Sequence, residues 1–406
     1  MAQQGGTNNA ANGPIYMGAD NGTLTNAGTV DQRRALYLKL FSGEMFKGFQ
    51  HNTIARDLVT RRTLKNGRSL QFIYTGRTKS EFHIPGRSIL GNDEKTPPVA
   101  EKTIECDDLL ISSAFVYELD ETLAHYDLRG EISRKIGYAL AENYDRRIFR
   151  AITKAARQPS PVTMSNFVEP GGSVVKVGTD SSTTEADAYD AGKLVDAFYD
   201  AAAIFDEKGV SSEGRVAVIN PRQYYALINT VSSGVISSGL INRDAQGDAL
   251  QTGQGIIEIA GIKIYKSMNI PFFGNYGTKA SMNPRSSNDN AGSFVGAAME
   301  DMSTAANSGT PAGGQKTVNN YGATNKFAKS CGLIFQKEAA GVVEAIGPQV
   351  QVTSGDISVV YQGDVILGRL AMGADFLNPA AAIELVAGVD VSSNYNATAV
   401  SNASFT

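Results

Sequence analysis

The residue types that could hold a metal are few and widely spaced. The chain has three histidines, His51, His83 and His125, and two cysteines, Cys106 and Cys331. Zinc sites usually bring two ligands within about two to five residues of each other along the chain. No histidine stands at such a spacing from another histidine or from a cysteine, so the sequence predicts no metal site.

Motifs for phosphate binding or catalysis are incomplete. The run Gly309–Thr317 (GTPAGGQKT) resembles a phosphate loop, but Gln315 separates the glycines from the lysine and no apolar strand precedes the run. No G-x-S-x-G nucleophile elbow occurs. The acidic pairs Asp107-Asp108 and Asp120-Glu121 fit solvated strand ends and caps better than a catalytic carboxylate pair. The sequence therefore predicts no catalytic residue and no cofactor. An enzyme that uses one of the acidic clusters is a rival hypothesis, which a hydrolase and nucleotidase panel would test.

Composition indicates a globular protein without a strong charge bias. The chain has 406 residues, of which 42% are hydrophobic and 19% charged, with a formal net charge of -4. This length suffices for two or three domains. The acidic balance gives no global attraction to nucleic acid or anionic membrane, and no apolar run reaches the length of a membrane span. No secretory signal is recognisable, so both cysteines are expected to be buried and reduced.

One stretch departs from this balance. From Arg56 to Arg87 there are eight basic and two acidic residues, a formal charge of +6. Two β-prone runs flank Asn66-Gly67, which predicts a hairpin with its turn there. A solvated surface, a nucleic-acid site and an arm that docks on an acidic partner are all open at this point. The aromatic residues Phe72, Tyr74 and Phe82 do not form a base-stacking pattern, which disfavours nucleic acid.

The predicted hairpin has little core of its own. It is weakly apolar on both faces, and a two-stranded hairpin is marginally stable alone in water. A neighbouring subunit is the natural support, with the basic residues meeting its acidic side chains. We therefore expect that a Gly/Ser linker in place of Lys65–Ile104 spares the fold of the subunit.

A long helix, predicted over residues 128–157, must organise the core. Eight apolar residues recur at a spacing of four, which is a helical periodicity. The set comprises Leu128, Ile132, Ile136, Leu140, Tyr144, Ile148, Ile152 and Ala156. An i+4 ladder drifts by roughly 40° per step around the helix, so the apolar stripe winds and can pack on different partners.

The remaining elements predict an α+β fold. Strand-like runs occupy residues 111–119, 215–219, 256–266, 331–336, 350–353 and 357–370, and helical patterns occupy 31–49, 187–205 and 221–229. Asn220-Pro221 predicts an N-cap followed by proline in the first turn. Residues 1–28, 273–325 and 392–406 are rich in small polar residues, which is typical of arms and loops.

Four motifs, in the same order, resemble the major capsid proteins of short-tailed, T-seven-like phages. LKLFSGEMFKGF (Leu38–Phe49), with GRT at Gly76–Thr78, resembles their N-arm and extended loop. LAHYDLRGE (Leu123–Glu131) resembles the entry to their spine helix. RVAVINPRQYYALI (Arg215–Ile228) and LAMGADFLNPAAA (Leu370–Ala382) resemble their A-domain and C-terminal segment. The resemblance extends from about Gln32 to Val386.

This resemblance implies the Hong-Kong-ninety-seven-type capsid fold, of α+β class. Its parts are an N-arm, an extended β-hairpin called the E-loop, a P-domain with a long spine helix, and an A-domain. The expected N-arm is 1–55, the E-loop 56–105 and the C-terminal tail 389–406. The P-domain would comprise 106–185 and 345–370 with the spine helix at 128–157, and the A-domain 186–344 and 371–388.

The implied function is that of a major capsid protein without enzymatic activity. Pentamers and hexamers would form the icosahedral head around double-stranded DNA. The basic residues expected at contacts between subunits are Arg61, Arg62, Lys65, Arg68, Arg77, Lys79 and Arg87. No lysine–asparagine pair carries over as a cross-link, so a non-covalent shell is expected. An encapsulin-like compartment shares this fold and is the first alternative, although the sequence shows no cargo-binding pocket.

The resemblance also implies partners and a location. Besides other copies of itself, the expected partners are a scaffolding protein during assembly, a portal protein at one vertex, and packaged DNA held by weak non-specific contact. No membrane partner is expected. The protein would be assembled in the host bacterial cytoplasm and reside in the virion.

Overall fold

A computed structural model gives the arrangement of most of the expected core. It describes residues 54–76, 78, 80, 82–86, 99–106, 109–118, 128–159, 163–164, 167–178, 185–230, 257–271, 330–352 and 362–387. Arg77, Lys79 and Arg87 lie outside these residues, as do the helical pattern at 31–49 and the polar segments at 1–28, 273–325 and 392–406.

The described residues contain three α-helices and fourteen strands. The helices are α1 Leu128–Ala156, α2 Ala191–Glu207 and α3 Pro221–Thr230. The first seven strands are β1 Thr60–Thr63, β2 Ser69–Thr75, β3 Val99–Glu105, β4 Leu110–Tyr117, β5 Thr163–Met164, β6 Phe167–Val168 and β7 Ser173–Lys176. The others are β8 Arg215–Ile219, β9 Ile257–Ile259, β10 Ile262–Lys266, β11 Ser330–Gln336, β12 Ala340–Val352, β13 Gly363–Phe376 and β14 Ala382–Val386. The predicted mixture of helices and strands is confirmed.

The chain divides into two compact units. The first comprises 1–53, 107–143 and 345–372, and the second comprises 54–106, 144–344 and 373–406. The helix α1 and the strands β12 and β13 each contribute residues to both units. The boundaries expected for the N-arm, E-loop, P-domain and A-domain come from the family resemblance and not from these two units, and they stay a prediction.

The first unit is a helix packed on a sheet. β4 pairs antiparallel with the beginning of β13, from Tyr117 opposite Gly363 to Leu110 opposite Leu370. Val116 and Ile366 of this sheet form a buried cluster with Ile136 and Leu140 of α1. The helix can approach closely because position 368 is glycine, where a Cβ atom would overlap Ile136. The predicted burial of Ile136 is therefore confirmed.

The second half of α1 is buried on nearly all sides. Tyr144, Ile148 and Ile152 continue the predicted apolar stripe and are buried. Phe149 and Ala155, which lie off that stripe, are buried as well. A helix that is apolar around much of its circumference belongs in a core, so the predicted central role of α1 is confirmed.

The second unit is built on a six-stranded mixed sheet. Its strand order is β7-β14-β11-β8-β10-β9. The central strand β8 is buried throughout and pairs parallel with β10 and antiparallel with β11. Helix α3 begins as predicted, since the side chain of Asn220 accepts a hydrogen bond from the Arg222 N–H at 3.0 Å. Helix α2 begins at Ala191 instead of 187, because Asp190 caps the Gly192 N–H at 3.0 Å.

The predicted hairpin around Asn66-Gly67 is wrong. The strands on either side of that turn do not pair with each other: β1 pairs parallel with the start of β12, and β2 pairs antiparallel with β3. Gly67 does adopt a positive φ of 91°, as a tight turn requires. The turn signal was local and correct, whereas the partner strands lie far along the chain and are not visible in a short sequence window.

A buried ion pair joins the end of α1 to the six-stranded sheet. Arg157 Nε and Nη2 donate to the two carboxylate oxygens of Glu384 on β14, both at 2.6 Å. Both side chains are 0% exposed. Two parallel charged hydrogen bonds satisfy the pair, so its stability depends on both partners being present.

Breaking this pair should be costly. We expect Glu384→Gln to lower the free energy of unfolding by about 3–5 kcal/mol, because it removes the negative charge that pairs with the buried Arg157 guanidinium. The control is Asp364→Asn. It neutralises a carboxylate 2.8 Å from the Arg129 guanidinium, in a pair that is more exposed than Arg157–Glu384, and it should cost about 1 kcal/mol or less. Urea unfolding measures both variants. A loss for Glu384→Gln no larger than that of the control would contradict the expectation.

Candidate assembly surface

The strands β2 and β3 form a two-stranded ribbon, called the ribbon below. Its register runs from Ser69 opposite Glu105 to Thr75 opposite Val99. Burial alternates along both strands, so the ribbon has one exposed face and one face that is partly covered. The covered face bears Leu70, Phe72, Tyr74, Ala100, Lys102 and Ile104. The prediction that both faces are poor in large apolar residues is therefore wrong for this face.

The end of the ribbon that carries Lys102 and Ile104, called the root below, belongs to the core of the second unit. Ile104 is only 1% exposed. The ammonium of Lys102 lies 2.7 Å from the Asp375 carboxylate and 3.8 Å from the centre of the Phe376 ring. Lys154 of α1 contacts the other carboxylate oxygen of Asp375 at 3.1 Å. These contacts fix the root, so the exposed face and the distal end of the ribbon remain available to another molecule.

A cavity of about 570 Å³ lies beneath the ribbon. Its lining includes Phe72, Tyr74, Lys102, Glu169, Glu338 and Leu377. The Tyr74 hydroxyl reaches across to the buried Glu169 carboxylate at 3.4 Å. Nearby, Lys208 donates to the Gly171 carbonyl at 2.7 Å, and burial lowers the pKa of Lys208 to about 8. The lining mixes aromatic, aliphatic and charged groups.

Towards its distal end, away from Ile104, the ribbon exposes apolar side chains. Ile73 is 77% exposed, Val99 is 65% exposed, and Phe82 and Ile84 beyond the strands are also exposed. Exposed apolar residues on one ribbon and on the segment that joins its strands indicate a candidate surface for protein contact. The sequence analysis did not predict these residues as contacts, because it based the interface on the basic residues between Arg56 and Arg87. The signal that could have found them is the alternation in β2, together with Phe82 and Ile84 just before Pro85-Gly86.

The basic residues predicted at the interface have different surroundings. Arg61 contacts Glu344 of its own chain at 3.8 Å, and the Arg62 guanidinium lies 5.2 Å from the centre of the Phe72 ring. Lys65 and Arg68 are exposed around the turn before β2. The structure thus gives Arg61 and Arg62 partners within the chain and leaves their role towards a neighbour a prediction.

Two further features bear on chemistry. Both cysteines are buried and free, as predicted. Within the part of the chain that the structure describes, no group of three His, Cys, Asp or Glu side chains could hold a metal ion. No helix of that part is long and apolar enough to cross a membrane.

Comparisons with known proteins give the family. A family model described as "Gp10A-like: Major capsid protein" matches residues 71–302, more than half of the chain. The major capsid protein of Escherichia phage T7 is 27% identical over 216 residues, which cover 52% of this chain and 61% of that protein. The chain thus spans less than two thirds of this curated relative.

Solved structures extend the likeness over nearly the whole chain. The capsid structure of the cyanophage P-SCSP1u is 30% identical, with a TM-score of 0.62, and the match covers 92% of this chain and 98% of that chain. A subunit of the mature bacteriophage PhiM1 capsid is 15% identical with a TM-score of 0.57, covers 86% and 91% respectively, and supports the fold alone. The chain belongs to the Gp10A-like major capsid protein family and has the Hong-Kong-ninety-seven-type capsid fold.

Proposed function

We propose that the chain self-assembles into the pentamers and hexamers of an icosahedral phage head that encloses double-stranded DNA. The observation that carries this proposal is the likeness to the P-SCSP1u capsid over 98% of that chain at 30% identity. The family match favours this function over an encapsulin-like compartment and over an enzyme. The role is structural, and the head resides in the virion after assembly in the bacterial cytoplasm.

The distal ribbon is the proposed contact between neighbouring subunits. Ile73, Phe82, Ile84 and Val99 supply apolar area, which contributes most of the free energy of association. The basic residues Arg77, Lys79 and Arg87, which follow β2 in the chain, supply charge that steers and orients the contact, and Lys65 and Arg68, which precede β2, add charge at the other end of the ribbon. Arg61 and Arg62 contribute by holding the strand before the ribbon. The root of the ribbon keeps its packing within its own subunit. The distal ribbon therefore contacts the neighbour without any core element being exchanged between the two subunits.

The remaining partners are proposed on general grounds. A scaffolding protein would guide assembly, a portal protein would occupy one vertex, and DNA would be held by weak non-specific contact. The net charge of -4 supports weak contact, since it gives the subunit no overall attraction to polyphosphate. The proposed division into N-arm 1–55, E-loop 56–105, P-domain, A-domain and tail follows the family.

Sedimentation of the expressed chain tests the proposed function. Purified protein should sediment partly as uniform particles far larger than a 43.1 kDa subunit. Protein that stays monomeric under all assembly conditions, including added scaffolding protein, would contradict the proposal.

A single charge in the segment 77–98 that joins β2 to β3, called the ribbon tip below, should block assembly without affecting the fold. We expect Phe82→Asp to reduce the yield of shells about tenfold or more, because it places a carboxylate in an apolar contact. Thermal unfolding should not change, since Phe82 is fully exposed within the subunit. The matched control is Ser80→Asp, which adds the same charge at an exposed polar position nearby. Equal shell yields for the two variants, measured by light scattering, would exclude Phe82 as a contact residue.

A further inference from the structure

A short segment, residues 54–64, leads from the expected N-arm to the ribbon that is proposed to contact a neighbouring subunit. The N-arm precedes it and the ribbon follows it at Ser69. Two acidic side chains from other parts of the second unit hold this segment, Asp145 on α1 and Glu344 on β12. We call these two carboxylates the anchor.

Asp145 binds the backbone at the start of the segment. Its Oδ2 accepts the Ile54 N–H at 3.0 Å and its Oδ1 accepts the Ala55 N–H at 3.1 Å. The 3-10 turn at Ala55–Asp57 has no capping side chain from its own N-cap residue. Asp145, which is 90 positions from Ala55 along the chain, supplies the cap instead. Asn269 also donates to Asp145, at 3.4 Å, and Asp145 is completely buried.

Glu344 binds the side chains that follow. Arg56 donates from Nε at 3.2 Å and from Nη2 at 3.1 Å to its two carboxylate oxygens, a two-point contact. The Tyr144 hydroxyl, adjacent to Asp145 on α1, donates at 2.6 Å. Arg61 Nη1 lies 3.8 Å away, and the Glu344 carbonyl accepts the Leu64 N–H at 2.8 Å. One nearly buried glutamate thus holds both ends of the segment.

The charge states support this arrangement. Burial by itself would raise the pKa of Glu344, but hydrogen bonds from Arg56 and Tyr144 outweigh burial and lower it. Burial and the neighbouring Glu344 raise the pKa of Tyr144, so its hydroxyl keeps the proton that it donates. At neutral pH Glu344 is therefore a carboxylate that accepts hydrogen bonds from Arg56 and Tyr144.

We propose that Asp145 and Glu344 are positioning residues for assembly. They fix the direction in which the chain enters from the N-arm and the register in which β1 begins before the ribbon. Asp145 accepts from Ile54 and Ala55, and Glu344 accepts from Arg56 and Leu64, whereas the segment itself contributes few large side chains to the core. The proposal rests on the proposed function, because positioning matters for assembly only if the ribbon contacts a neighbouring subunit.

Local release of the segment has a direct readout. Trypsin cleaves after Arg56 only when that residue can leave Glu344 and extend. In Glu344→Gln the two-point charged contact is lost, and we expect cleavage after Arg56 to become about tenfold faster or more. The control, Glu258→Gln, removes an exposed carboxylate on β9 and should leave the cleavage rate unchanged.

Assembly is measured on the same samples by sedimentation and electron microscopy. Faster cleavage after Arg56, together with fewer shells and more irregular particles, supports the anchor. Regular shells at wild-type yield, or an unchanged cleavage rate in a folded variant, overturn it. If wild-type protein makes no shells at all, the proposed function fails, and that result is distinct from regular shells in the variant.

A second variant covers the case in which Glu344→Gln does not fold. Arg56→Lys keeps the positive charge and the tryptic site but loses the two-point contact, at a position that is 39% exposed. Accelerated cleavage after Lys at this position, with irregular particles and a preserved cooperative melt, supports the anchor. Wild-type cleavage and regular shells in Arg56→Lys overturn it.

Discussion

Replacement of residues 77–98 by a short turn should abolish shells and leave the subunit folded. The segment joins β2 to β3 beyond the last pair, Thr75 with Val99, so a linker of about four residues can close the hairpin. It carries Phe82 and Ile84, which are exposed in the subunit and proposed to contact a neighbour. Loss of this area removes the contact while the ribbon root keeps its own packing.

The boundaries of this replacement differ from those expected from the sequence. A linker in place of Lys65–Ile104 would remove Ile104 from the core and leave Asp375 without Lys102. We therefore expect that larger replacement to destabilise the subunit, contrary to the sequence-based expectation. A Gly/Ser segment of unchanged length at 77–98 is the matched control for loop length, and it should also fail to form shells.

Circular dichroism and light scattering together separate the outcomes. A cooperative melt without shells is the expected result for the short turn. Normal shells would refute the role of the tip in docking. Loss of the melt would show that residues 77–98 belong to the subunit's own fold.

The variant Ile136→Asp should fail to fold. Ile136 is 5% exposed and packs with Leu140, Val116 and Ile366. An unpaired charge in that cluster costs several kcal/mol or more, which is comparable to a total domain stability of about 5–15 kcal/mol. Insoluble protein, or soluble protein without a cooperative melt, is the expected result.

Arg134→Asp is the control for a charge change on the same helix. Arg134 is exposed and contacts only Glu131 at 3.6 Å and the Tyr138 hydroxyl at 3.3 Å among the contacts described. This variant should stay soluble and melt close to wild type. Native circular dichroism for Ile136→Asp would show that the buried face of α1 is assigned wrongly.

Local patterns predicted the helices well. The apolar ladder in α1 depends only on residues within one helix, and the observed helix ends at Ala156, one residue before the predicted end. The Asn220 cap and the strand Arg215–Ile219 were predicted for the same reason. Where the determinants of an element lie within a few residues, sequence reasoning suffices.

Non-local pairing was largely beyond prediction. β12 begins at Ala340, ten residues before the predicted start, because β1 pairs with its first residues from 281 positions away. The strands β7 and β14 were not predicted. The sequence of β7 is a short Gly/Ser/Val run and that of β14 is alanine-rich, and they become strands because β14 pairs with both β7 and β11. Such strands take their stability from partners and carry little periodicity of their own.

Charged residues were the least predictable part of the site. In sequence, Asp145, Glu344 and Glu384 look like ordinary surface acids, yet all three are buried. Their partners are 90 to 288 positions away along the chain. Conversely, the conspicuous basic stretch suggested an electrostatic dock, whereas Arg56 and Arg61 are engaged by Glu344 within the subunit. Net charge along a segment does not show which charges are already paired.

Cryo-electron microscopy of the purified wild-type protein tests the central claim most directly. The account predicts closed icosahedral shells in which the ribbon tip, with Phe82 and Ile84, contacts the adjacent subunit while Ile104 stays in its own core. Shells in which the tip points into solvent, or a purified protein that never closes into shells, would contradict it.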